Sequence, residues 1–120
     1  MRLVVLFASM AILAGSASAD AKPRPATKTE IEAIRESLQT QLKDADSAKF
    51  RDAVANNSVK EVRDICGDIN AKNSYGAYGG FVRFYSIVAM QTDGKTVAIM
   101  TVIDSEDSTL ASDMCAKKGM

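Results

Sequence analysis

Histidine and tryptophan are absent from this 120-residue chain, and proline and cysteine occur only twice each. Without histidine there is no Ser-His-Asp triad, no Cys-His dyad and no histidine metal site. The two cysteines, Cys66 and Cys115, are too far apart for a C-x-x-C metal motif, so no metal site and no cofactor are expected. An excess of one charge is also missing, because 15 Lys and Arg balance 15 Asp and Glu. The two signs are interspersed, as in "RESLQTQLKDADSAKFRD", and leave no basic stripe for nucleic acid or an anionic membrane. "GKT" at Gly94 to Thr96 lacks the earlier glycine of a phosphate loop, since position 89 is Ala. "DINAKN" has oxygen ligands at alternate positions, but an EF-hand loop requires Gly where Asn73 stands and Glu where Gly79 stands.

Long apolar runs are scarce too. The run from Leu3 to Ala14 is short of the ~20 residues a spanning helix needs. It follows the single positive charge of Arg2 and precedes Ala17-Ser18-Ala19, the A-x-A pattern read by signal peptidase. The sequence therefore predicts cleavage between Ala19 and Asp20, a periplasmic or secreted protein, and no stable membrane anchor. "LAGS" resembles a lipidation box, but Ser16 has no thiol to modify. Removing Arg2 from the 15 basic residues leaves 14 against 15 acidic ones, a near-neutral mature chain. The expected organisation is a signal peptide over 1–19, a flexible leader over 20–27 and one domain over 28–120.

That domain reads as α+β: an N-terminal amphipathic helix and a short C-terminal helix packed on a small antiparallel sheet. "TKTEIEAIRESLQTQLKD" offers a capping box, Thr27 with Glu30 or Thr29 with Glu32. Ile31, Ile34, Leu38 and Leu42 form one apolar stripe. Phe50 to Val54 suits either a strand or a second short helix, and Asn56-Asn57 signals a turn. From Arg63, alternation puts Ile65, Gly67, Ile69 and Ala71 on one face and Cys66, Asp68 and Asn70 on the other.

Asp93-Gly94 between two β-rich runs predicts a two-residue hairpin. With Thr92 opposite Lys95, the register pairs Met90 with Val97, Val88 with Ile99, Ser86 with Thr101 and Phe84 with Ile103. On the other face Ala89 meets Ala98, Ile87 meets Met100 and Tyr85 meets Val102, with Arg83 opposite Asp104 as a charge pair. Because both faces are largely apolar, Tyr85, Ile87, Met100 and Val102 form a candidate interface for another molecule or a second copy, unless the C-terminal segment covers them. The tail "SEDSTLASDMCAKKGM" reads as a helix capped by Ser105 or Ser108 and ended by Lys117-Lys118-Gly119. Cysteine pairing in an oxidising compartment predicts a Cys66–Cys115 disulfide tying this helix to the sheet.

One stretch stands apart. "NAKNSYGAY" supplies Asn70, Lys72, Asn73, Ser74, Tyr75 and Tyr78 between two apolar segments, the candidate binding loop. Tyrosine offers contact area at low entropic cost and asparagine adaptable hydrogen bonds, although Gly and Asn also have turn duties of their own. "DADSAKF" (44–50) followed by "CGDINAKNSYGAYGGFVRF" (66–84) resembles small exported bacterial proteins of unknown function, some of them associated with phages or mobile elements. The resemblance implies a secreted α+β domain with a second cysteine near the C-terminus, and it carries over no catalytic residue. The expected function is a non-enzymatic exported binding or interaction module, its partner an unknown protein or envelope component. The alternative is a small envelope hydrolase using Ser47 with Lys49, Lys72 with Ser74, or a carboxylate pair such as Asp44/Asp46 or Glu106/Asp107.

Overall fold

The computed structural model describes residues 23–73 and 75–120. The predicted signal peptide and its cleavage point lie outside the described residues. In chain order the elements are β1 (Arg24–Pro25), α1 (Lys28–Ser37), β2 (Lys49–Val59), β3 (Val62–Asn70), β4 (Val82–Met90), β5 (Thr96–Ile103) and α2 (Leu110–Lys117). The five strands form one antiparallel sheet in the order β1-β2-β3-β4-β5.

The sheet is sandwiched between the helices, and the alternation of β3 explains how. Ile65 and Ile69 point to one face and pack with Ile34 and Leu38, around Phe84, Val88 and Ala55. Cys66 points to the other face and packs with Tyr85, Ala111 and Cys115. Both faces of β3 and β4 are covered at this level, which removes their apolar side chains from water at about 1.5–3 kcal/mol for each large one. Phe50 meets Phe84 edge to face at 5.5 Å between centroids, which places β2 over the α1-side core.

The start of the fold is pinned by charge. Thr27 and Glu30 form the capping box of α1: Thr27 N–H donates to Glu30 Oε1 at 2.9 Å, and Glu30 N–H to Thr27 Oγ1 at 3.1 Å. Arg24 clamps both oxygens of the same carboxylate, at 2.8 and 3.1 Å, and Arg63 Nε lies 3.7 Å away. The expected flexible leader is thus corrected from Arg24 onward, where it forms an edge strand tied to α1. Burial alone would raise the Glu30 pKa, but Arg24 and the Thr27 donors overcome it and hold it below the usual carboxylate value. The sign follows: the folded state binds this proton less readily than the unfolded chain, so Glu30 contributes stability above the ordinary carboxylate range. That contribution disappears as pH falls through the lowered folded value. Glu30→Gln is therefore expected to cost about 1–2 kcal/mol at neutral pH and to flatten the acid limb of a urea-midpoint titration.

Of the two alternatives for Phe50 to Val54 the chain takes the strand, and other expectations about the strands change. Asn56-Asn57 lies inside β2 rather than at a turn. The chain reverses instead at Lys60-Glu61, where Glu61 adopts φ 66°. The β4–β5 register agrees from Phe84–Ile103 to Ile87–Met100, but then shifts, so that Val88 faces Ala98 and Ala89 faces Val97. The connection is a three-residue loop rather than two: Gln91 N–H donates to Lys95 C=O at 2.7 Å, and Gly94 closes the turn onto Gln91 at φ 82°. The extra residue is absorbed by a bulge at Ile99. Finally, Arg83 and Asp104 are opposite in the ladder but do not pair by charge. Arg83 lies 3.7 Å from Asp68, and the Asp104 carboxylate accepts the Ala111 and Ser112 N–H groups at the start of α2.

The first turn of α2 is satisfied by Asp104, which takes the Ala111 and Ser112 amides, together with Ser108, whose Oγ accepts from Leu110 N–H at 3.3 Å; Ser105 takes no part. The other end closes as a Schellman motif. Gly119, at φ 74°, donates to Ala116 C=O, and Met120 donates to Cys115 C=O. The last residue packs into the α2-side cluster, and Cys115 is bonded to Cys66 across a Cα separation of 5.9 Å.

Candidate functional site

The β3–β4 connection is built from its own side chains. Lys72 and Tyr78 form an isolated bridge, and Asn73 N–H donates to Ala77 C=O at 2.7 Å. Asn73 Oδ1 accepts from the Tyr75 and Ala77 amides at 2.9 and 3.1 Å. This Asx arrangement bends the chain at Gly76, which adopts φ 79°. Asn70 Oδ1 accepts from Gly80 N–H at 3.0 Å, holding the base of the loop. Two expected ligand-contacting residues, Asn70 and Asn73, thus spend their carbonyl oxygens on the loop itself.

Tyr78 docks the loop to the rest of the fold. Its hydroxyl donates to Ser47 C=O at 2.8 Å. Lys49 Nζ lies 4.4 Å and Lys72 Nζ 5.6 Å from its ring centre. Lys72 also lies 3.9 Å from Asp44 Oδ2. Tyr75 is different: it is 95 % exposed at the tip, on a backbone fixed by Asn73. Ser74 lies outside the described residues. A shallow cleft of about 330 Å³ lies beside the loop, lined by Lys43, Asp44, Lys72, Asn73 and Gly76.

No family model, curated protein or solved structure matches this chain. The geometry of the chain adds residues the sequence did not single out. Arg51 stacks over Phe81 at 3.9 Å while bonding Asp68 at 3.2 Å, and Lys49 lies beside it on β2. The available signal was register: Lys49 and Arg51 pair with Asn70 and Asp68 in the ladder, next to the loop they flank.

Several of the groups named for a hydrolase make contacts within the fold. Ser47 donates its hydroxyl to Asp44 C=O at 2.9 Å, Lys49 sits over Tyr78, and Asp46 accepts from Gln39 at 3.0 Å. Glu106 and Asp107 are exposed on a turn. Among the described residues no cluster of three or more potential ligands is placed to hold a metal. No helix among them is long and apolar enough to cross a membrane.

The expected interface needs correction. Helix α2 covers Tyr85 completely, and Val102 and Ile87 are half-buried against the same cluster with Met114 and Met120. Tyr85 donates to Asp64 Oδ1 at 2.5 Å, and Lys118 Nζ lies 3.5 Å from the other oxygen. Burial and then the Asp64 carboxylate push the Tyr85 phenol well above its ordinary pKa, so it remains a hydrogen-bond donor. Of the four residues, only Met100 is exposed, at 40 %.

Proposed function

We propose that this protein is an exported, non-enzymatic binding module that contacts an envelope protein or other envelope component through the Asn70–Phe81 connection. The observation that carries the reading is Tyr75, a fully presented aromatic on a backbone that needs no ordering on binding. A side chain left in water while Asn70, Lys72, Asn73 and Tyr78 are engaged makes no contribution to the fold, and rigid presentation lowers the entropic cost of association. Lys72, Tyr78, Lys49 and the Arg51–Phe81 stack form the surrounding polar and aromatic ledge. Export is proposed from the leader over 1–19, with cleavage between Ala19 and Asp20. The disulfide is compatible with an oxidising compartment.

Tyr75→Ala separates this reading from a purely structural loop. It is expected to leave the unfolding free energy within about 0.5 kcal/mol of wild type, as for other exposed positions without partners, with a correspondingly small change in melting temperature. In a pull-down of solubilised envelope from the native cell, the same variant is expected to lose the bound component. Equal retention by both proteins would remove the loop from the binding surface.

A further inference from the structure

The outer edge of β5 carries a self-complementary pattern that no element of the described chain covers with a strand. Edge strands expose unpaired N–H and C=O groups, and proteins usually blunt them with charge, proline or brevity. The opposite edge follows that rule, because β1 is two residues long and contains Pro25. The β5 edge is blunted only at Thr101, which is 5 % exposed beneath Ser37 and Gln41. Its eight residues, "TVAIMTVI", contain no charge and no proline, and Ile99 and Met100 are 64 % and 40 % exposed.

The bulge decides which register such an edge accepts. Gln91 N–H donates to Lys95 C=O, and Asp104 N–H to Arg83 C=O, so the backbone faces β4 at both ends of the strand. Alternation from Lys95 turns Thr96 and Ala98 outward, and alternation from Asp104 turns Ile103 and Thr101 outward. The change of parity falls at Ile99, where the β4–β5 register shifts. Two copies that pair antiparallel about an axis between Ile99 and Met100 then bring Ala98 opposite Thr101 and Thr96 opposite Ile103. In each pair both backbones face the partner. A strand without the bulge would set an outward residue against an inward one in that register. The same register brings Lys95 of one copy opposite Asp104 of the other, opposite charges at each end of a charge-free run. In the single chain, Gln41 Nε2 donates to Thr101 C=O at 3.2 Å and so occupies one outward acceptor that a neighbouring strand would use.

We propose that β5 is an association edge at which two copies of this chain pair antiparallel about a twofold axis between Ile99 and Met100. The two sheets become one continuous sheet, and Ile99 of each copy packs against Met100 of the other. The proposal is independent of the loop, which joins β3 to β4 and docks on Ser47 just before β2, away from the free edge of β5. Sedimentation of the secreted, oxidised protein across micromolar concentrations is expected to give a dimer. Ile99→Lys places two like charges beside the axis and is expected to weaken the dimer about a hundredfold, while its unchanged far-UV spectrum and melting curve report an intact fold. Lys95→Glu, on the exposed turn, is expected to weaken it in the same direction by setting Glu against Asp104. A wild-type protein that sediments as a monomer throughout overturns the proposal. So does a dimer whose dissociation constant is unmoved by Ile99→Lys.

Discussion

Replacing Cys66 and Cys115 together by alanine is expected to lower the unfolding free energy by about 4 kcal/mol. The two residues are 49 apart in sequence, so the bond closes a long loop and restricts the unfolded chain strongly. The native side adds to the effect. An eight-residue helix has little stability of its own in water, and α2 is held by a small cluster in which both cysteines are buried. Loss of the bond loosens the cover over Tyr85, Ile87 and Val102. Amide exchange in α2 and around the Asp64–Tyr85 contact should accelerate well before the α1-side core is affected. Because domains of this size have only about 5–15 kcal/mol in total, the variant should be marginal at physiological temperature. Urea denaturation of the oxidised protein and the double variant checks the figure. A difference below about 1 kcal/mol would mean that α2 is held by packing alone.

The second large effect is expected at Gly67. Strand β2 carries a bulge between Arg51 and Val54, with Asp52 at φ 54°, so that Asp52 and Ala53 together oppose Gly67. The bulge brings backbone against β3: a Cβ at position 67 would lie 2.8 Å from Ala53 Cα and 2.9 Å from Phe84 Cε1. Neither neighbour yields cheaply, since one is main chain and the other is a fully buried ring. Gly67→Ala is expected to cost about 3 kcal/mol, the upper range for overpacking. Gly79→Ala is the control, because a Cβ there meets nothing within 4 Å and φ is not positive. The pair should differ sharply in urea midpoint at equal slope. A near-neutral Gly67→Ala would show that the bulge relaxes away from β3.

Both effects also mark where the sequence was legible and where it was not. Counting the cysteines was enough to pair Cys66 with Cys115, and alternation placed Ile65, Gly67 and Ile69 on one face. The bulges at Asp52–Ala53 and Ile99 left no such signal, since each is one extra residue that strand propensity does not register. The bulge at Ile99 accounts for the β4–β5 register holding only up to Ile87; that β2 runs on through Asn56-Asn57 has another cause. Turn propensity lost there because Asn57 is an exposed position in a ladder with Arg63, where a polar side chain costs little. The actual turn used Glu61, a residue whose type gives no warning of positive φ. The charge pair read between Arg83 and Asp104 failed for a different reason: each had a better partner, Asp68 and the α2 amides, that lay outside the hairpin.

The loop was legible as an unusual composition, but composition could not divide its labour. Asn70, Asn73 and Tyr78 hold its shape, whereas Tyr75 stands free of it. The distinction needed the Asx hydrogen bonds and the docking of Tyr78 on Ser47. It leaves a narrower surface than the sequence proposed, enlarged at one side by Lys49, Arg51 and Phe81.

The most direct test of the proposed surface is an amide chemical-shift map of the isotope-labelled, oxidised protein titrated with whatever component the envelope pull-down recovers. The proposed contact predicts perturbations concentrated in Asn70–Phe81 and the adjoining start of β2, and their loss in Tyr75→Ala. Perturbations confined to α2, or spread along β5 with the loop unmoved, would contradict it.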